Sequence, residues 1–140
     1  DVDGSRLAGA SKQSPKAKTY RDFRRMLEQK EIDAVVCSTP DHTHAIVGVA
    51  ALKSGRHLYC EKPLAHTVSE VRALTVAAAK HKCATQMGTQ IHARDNYRRV
   101  VELVQSGAIG AVKEVHVWVG ATYGNIGLSP KDAPLPKGFD

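Results

Sequence analysis

The chain has 140 residues, enough for one or at most two small domains, with 42% hydrophobic residues and no apolar run of membrane-spanning length. Lys and Arg outnumber Asp and Glu by 20 to 14, and the resulting formal charge of +6 suits an anionic ligand. The basic residues are scattered, and four Tyr, two Phe and one Trp offer few stacking platforms, which argues against nucleic acid as the partner.

Asp1 to Gly4 reads as the tail of a strand entering a turn, Ser5 to Gln13 as a short helix closed by Pro15, and Ala17 to Tyr20 as a weak strand. Thr19 followed by Asp22 has the spacing of a capping box, and Phe23, Met26 and Leu27 give the next helix one apolar face up to about Lys30. Ile32 to Ser38 is nearly continuous in apolar residues, as a strand buried in a parallel sheet is, and Thr39-Pro40 breaks it. Asp41 is placed to cap a helix with Ala45, Val49 and Leu52 on one face, and Gly55 to end it. His57 to Cys60 is the following strand. Thr67 and Glu70 form a second capping box, opening a helix with Val71, Leu74 and Ala78 inward, and Ala84 to Gly88 is the next strand. This alternation demands right-handed crossovers and an α/β fold whose parallel sheet is covered on both faces.

Beyond Gln90 the pattern changes. Asn96 to Ser106 is an amphipathic helix with Tyr97, Val100 and Val104 on one side, stopped by Gly107. Lys113 to Val119 then alternates strictly, as a strand with one covered and one open face would. Residues 1–91 are therefore assigned to the parallel-sheet domain and 92–140 to the beginning of a second, α+β domain. The stretch from Gly120 to Asp140, rich in Gly and Pro and without periodicity, is expected to be a loop.

Cys37, Cys60 and Cys83 are evenly spaced, odd in number and form no C-x-x-C, so they read as buried thiols in a repeating strand-helix unit within a reducing compartment. No basic, apolar and small-residue leader is visible, and a cytoplasmic location is expected. The first residue is Asp1 and not Met, so a leader lost upstream, and export with it, stays open.

The strand ending in Leu58-Tyr59-Cys60-Glu61-Lys62-Pro63 stops in an acid, a base and a proline, where a parallel sheet opens onto its ligand crevice. Pro63 confines Lys62 to extended backbone. The lysine ammonium is a compact donor that can bond a substrate hydroxyl and favour loss of its proton. An arbitrary Glu-Lys-Pro is more often a surface lysine before a turn proline, and it is the neighbourhood that changes this. Asp41-His42-x-His44 lacks a spaced third ligand and makes a poor metal site, so no metal is expected. No G-x-G-x-x-G occurs; Gly120, Gly124 and Gly127 have the wrong spacing and lead into proline-rich sequence.

Three stretches, Ser38-Thr39-Pro40-Asp41-His42-Thr43-His44, Cys60-Glu61-Lys62-Pro63-Leu64, and Gly88-Thr89-Gln90 through Ser106-Gly107-Ala108-Ile109-Gly110, together resemble the Gfo/Idh/MocA oxidoreductases. These are nicotinamide-dependent enzymes acting on sugars, inositols and related polyols, and the resemblance runs in the same order over essentially the whole chain. It implies a Rossmann-like, doubly wound sheet. It implies that Lys62 is catalytic, near the nicotinamide and bonded to the reacting hydroxyl, in a signature tripeptide with Glu61 and Pro63 whose Lys-Pro bond is often cis. Thr39 and Pro40 match the loop that passes over the cofactor, His44 the start of the next helix, and Gln90 a position beside the nicotinamide. Asp1 stands where an acid at the end of the second strand bonds the adenosine ribose, which leans toward NAD over NADP. Asp3 is the competing assignment, and a plain turn aspartate the other.

The resemblance places a phosphate loop and first strand before Asp1, and an acid-base Asp and His beyond Asp140. The chain is accordingly expected to be a fragment, without dinucleotide affinity or activity of its own. In the strand order 3-2-1-4-5-6 the first strand joins the halves of the sheet, so Ala17 to Tyr20 is expected to lack a partner. The intact protein is expected to transfer hydride to or from a small sugar or polyol as a homo-oligomer, with no nucleic-acid or membrane partner. The alternative is a family-like protein without turnover, serving as a nucleotide or sugar sensor or as a partner subunit; the retained Lys62 argues against it.

Overall fold

The computed structural model describes residues 1–118 and 120, which divide between Thr89 and Gln90 into two compact units. In the first unit, helices α1 (Gly4–Gln13) and α2 (Phe23–Leu27) precede strand β1 (Ala34–Cys37), helix α3 (Asp41–Lys53), strand β2 (His57–Glu61), helix α4 (Val68–His81) and strand β3 (Thr85–Gly88). The strands form a parallel sheet in the order β1-β2-β3, with Cys37 opposite Cys60 and Glu61 opposite Gly88. No described helix is long and apolar enough to cross a membrane.

Apolar side chains of β1 and β2 (Val35, Cys37, Leu58, Cys60) are buried together with Ala51 and Leu52 of α3 and Leu74 and Ala77 of α4. Each fully buried leucine of this set contributes roughly 1.5–3 kcal/mol. Gly48 lets α3 sit close. A β-carbon there would lie 2.7 Å from Leu74 Cδ2 and 3.0 Å from Leu58 Cδ2. Helix α4 starts at the expected capping box, in which the Thr67 hydroxyl accepts from the Glu70 backbone N–H while the Glu70 carboxylate accepts from the Thr67 backbone N–H.

Four local expectations are corrected. Thr19 does not cap α2; Asp22 is itself the N-cap, accepting from the Arg24 backbone N–H, and the helix ends at Leu27. Asp41 does not cap α3, because it is already inside the helix and Pro40 takes the cap position. Ala17 to Tyr20 forms no strand; the edge beside β1 carries no neighbour among the described residues. Nor is the sheet covered on both faces there. Burial alternates along β1 and β2, and Val36, Tyr59 and Met87 remain exposed, because both crossover helices that touch the sheet core lie on the same side.

The second unit opens with a 3-10 turn (Gln90–Ala93) followed by α5 (Asp95–Gln105), and the rings of His92 and Tyr97 stack at 4.3 Å. The expected strand from Lys113 is not formed over residues 113–118, where Val115 and Val117 are 77% and 88% exposed. Strict alternation specifies a strand only when a neighbour accepts its ladder hydrogen bonds, and no such neighbour exists among the described residues. Val119 and the loop expected from residue 121 onward lie outside the described residues.

Candidate active site

The C-terminal ends of parallel strands are where an α/β sheet offers its backbone and loops to a ligand. Here β1 runs out into Ser38-Thr39-Pro40, and β2, which ends at Glu61, into Lys62-Pro63. The Lys62-Pro63 peptide bond is cis, as the resemblance implies. Lys62 is exposed and makes no hydrogen bond or ion pair with the described residues, so its ammonium is available.

Glu61 occupies space that a glycine provides. A β-carbon on Gly88 would come within 2.7 Å of Glu61 Oε2 and 2.9 Å of Tyr59 Cε1, so any larger residue at the end of β3 would push the carboxylate away. In the sequence Gly88 marks the end of a strand and opens the Gly88-Thr89-Gln90 stretch. Its tightness is set by a cross-strand neighbour, which no local pattern announces.

His44, on the first turn of α3, is 1% exposed. Its Nδ1 lies 2.7 Å from the Pro63 carbonyl oxygen and its Nε2 lies 2.7 Å from the Thr39 carbonyl oxygen. The Thr39 hydroxyl accepts from the Thr43 hydroxyl at 2.7 Å. Asp41 adds a surface link between the same loops, with Oδ2 3.4 Å from His66 Nδ1. That hydrogen bond holds the Asp41 carboxyl below the usual carboxylate range. His44 thus lies between the Thr39 and Pro63 carbonyls, donating to one of them as a neutral ring and to both only when doubly protonated, with Pro40, Glu61 and Lys62 adjacent in the chain.

The Asp41-His42-x-His44 grouping does not assemble: the His44 ring is buried, whereas His42 is exposed. Instead Cys37, His44 and Cys60 bring their sulfur and ring nitrogen atoms within 4.8 Å of one another. Both ring nitrogens already face carbonyl oxygens at hydrogen-bond distance. Burial, followed by the neighbouring Cys37, pushes the Cys60 thiol up to about 12. Coordination by His44 would cost the ring one of these two carbonyl contacts.

Among the described residues, Asp1 makes no hydrogen bond or ion pair with this group. Asp3 is the N-cap of α1, its carboxylate accepting from the Ser5 hydroxyl at 2.6 Å and the Ser5 N–H at 2.8 Å, which lowers its pKa. Asp1 remains exposed; its side chain accepts from the Asp3 N–H, and its amino group donates to the Tyr20 carbonyl at 3.2 Å. Gln90 opens the 3-10 turn of the second unit and is exposed. A cleft of about 530 Å³ lies at the opposite, N-terminal ends of the strands, lined by Leu27, Ile32, Arg56 and His57 among others. It includes none of the residues singled out above.

Residues 3–89 match the model of an oxidoreductase family with an NAD-binding Rossmann fold, Gfo/Idh/MocA. The chain belongs to that family. Thr39, Pro40, His44, Glu61, Lys62 and Pro63 fall inside the matched region, and Asp1 and Gln90 outside it. The inositol 2-dehydrogenase of Salmonella paratyphi B is 31% identical over 116 residues, covering 82% of this chain and 34% of the relative. The levoglucosan dehydrogenase of Pseudarthrobacter phenanthrenivorans is 35% identical over 97 residues, covering 65% and 23%. Among solved structures, the apo scyllo-inositol dehydrogenase of Lactobacillus casei superposes with a TM-score of 0.74 at 29% identity, covering 79% of this chain and 33% of that one. The chain spans about a third of the length of the inositol dehydrogenases it matches.

Proposed function

We propose that the protein carrying this chain is a nicotinamide-dependent oxidoreductase that transfers hydride to or from a sugar, inositol or related polyol. The observation that carries this reading is the exposed Lys62 ammonium, without a partner among the described residues, at the C-terminal end of the middle strand in a Gfo/Idh/MocA chain. The dehydrogenases to which the chain is similar are named for inositols and an anhydrosugar, which supports the substrate class.

In this reading Lys62 donates a hydrogen bond to the reacting oxygen, stabilising the negative charge that develops there. An ammonium already carries its full complement of protons, so it polarises that oxygen but cannot accept its proton; a separate base is required. Thr39, Pro40, Glu61 and Pro63 form the strand-end rim against which a flat ring can be laid, with His44 beneath them. A bound nicotinamide would supply the hydride chemistry. Asp1 is assigned to the ribose hydroxyls, since the Asp3 carboxylate is already committed to capping α1. A carboxylate at that position disfavours a 2'-phosphate and favours NAD. Gln90 is assigned to the nicotinamide end, residues 1–91 to the cofactor domain, and 92–140 to the start of a domain for substrate and self-association. Free thiols at Cys37, Cys60 and Cys83 support a reducing, cytoplasmic location.

The test is Lys62→Met in the intact enzyme. Turnover should fall by at least about 100-fold while the Kd for the cofactor changes little. Turnover retained within a few fold would remove Lys62 from the mechanism and this reading with it.

A further inference from the structure

We propose that His44 is a positioning residue: a buried rung between the two strand-end loops that sets Lys62 relative to Thr39-Pro40, without touching the cofactor. This rests on the oxidoreductase reading above. The ring has no polar atom left for a ligand, being 1% exposed with Nδ1 and Nε2 each 2.7 Å from a carbonyl oxygen. Those carbonyls belong to Pro63 and Thr39, each two residues past the end of its strand, where the sheet ladder supplies no donor. Thr39 and Pro63 are exposed, so the group that cannot turn to water is the buried ring itself: its N–H needs a carbonyl, the tautomer with hydrogen on Nδ1 keeps the Pro63 tie, and donation to both carbonyls at once takes the doubly protonated ring.

The imidazole itself has little room to shift. Gly48 seats α3 against Leu58 and Leu74, and the Cys37 and Cys60 thiols flank the ring. Pro63 is the residue after Lys62, so displacing the Pro63 carbonyl displaces the lysine backbone with it. Misplacement of a catalytic group by about 1 Å can cost on the order of 100-fold in rate. The Asp41–His66 contact joins the same loops, but it is exposed and yields to solvent.

Asparagine and glutamine each reproduce one of the two reaches. In the intact enzyme, His44→Asn places an amide near the position of Nδ1 and can keep the Pro63 tie, His44→Gln places one near Nε2 and can keep the Thr39 tie, and His44→Phe fills the space with no donor. The Pro63 tie is the one that places Lys62. The kcat should therefore fall by about 100-fold for Phe and Gln and by less than about 10-fold for Asn, with the cofactor Kd within about threefold throughout. Equal losses in all three variants would assign the residue to packing and overturn the proposal. So would a loss confined to cofactor affinity, or wild-type turnover in every variant. If Phe does not fold, Asn against Gln decides; failure of both amides to fold makes the role purely structural and also overturns it. Lys62→Met is assayed alongside. If it abolishes turnover while the His44 variants do not, only the positioning role falls; if it leaves turnover intact, the oxidoreductase reading falls and the rung's purpose with it.

Discussion

Gly88 and Glu61 are paired across the two strands nearest the proposed chemistry, and the absence of a side chain on the first is what leaves room for the carboxylate of the second. Gly88→Ala should lower the stability of the intact protein by about 1–3 kcal/mol, the usual cost of overpacking. Thermal melts read this directly. Because the nearest atom is a carboxylate oxygen, Glu61→Ala should recover part of the loss in the double variant, and the clash with Tyr59 should retain the rest. Additive losses would show that the pair is not coupled.

Cys37 and Cys60 are free thiols 1% and 0% exposed, and Cys60 is pushed up to about 12 chiefly by burial. In the folded state the Cys60 thiolate is disfavoured and both sulfurs are shielded by burial, so iodoacetamide at pH 8 should leave both unmodified and should label Cys83 faster, with all three labelled in denaturant. Mass spectrometry of the cysteine-containing peptides checks this. As pH rises past the ordinary thiol range the unfolded Cys60 ionises before the folded one, so stability falls on the alkaline side.

The Asp41 carboxyl titrates below its usual range, first because of the His66 hydrogen bond. On acidification the unfolded chain takes up this proton before the folded one does. Its contribution is therefore present above the ordinary carboxylate pKa and is lost as pH falls through the lowered folded value. Asp41→Asn should melt below wild type at about pH 6, with the gap closing as pH falls through and below the ordinary carboxylate range. The effect should be small and weakened by salt, since the pair is exposed. A gap independent of pH would mean that Asp41 acts through packing at the start of α3.

The parts of this fold that are legible in the sequence are those written by neighbours along the chain. The Thr67–Glu70 capping box needs only three residues of spacing, and Gly55, with φ of +80°, ends α3 in the way its place after the apolar face implies. The alternation of apolar strands and helices carries the parallel order because crossovers of that length admit few alternatives. What escaped was set by partners far away. Asp41 has the chemistry of a cap, but His66 engages its carboxylate, and Pro40 takes the cap position. His44 reads as a residue at the cofactor loop, and only the fold reveals that both its nitrogens face backbone carbonyls. Val115 and Val117 alternate as in a strand, yet alternation cannot create the neighbour a strand requires.

Strand order in the sheet is the same as strand order in the chain, and each neighbouring pair closes a loop of roughly 25 residues. No described strand must wait for a later one to be inserted between it and its predecessor. On the ribosome, β1 and β2 can pair once β2 has followed α3 out of the exit tunnel, and β3 can add when Gly88 clears it. The rim that carries Thr39 and Lys62 is thus positioned to acquire its form early, while translation of everything that follows is still under way.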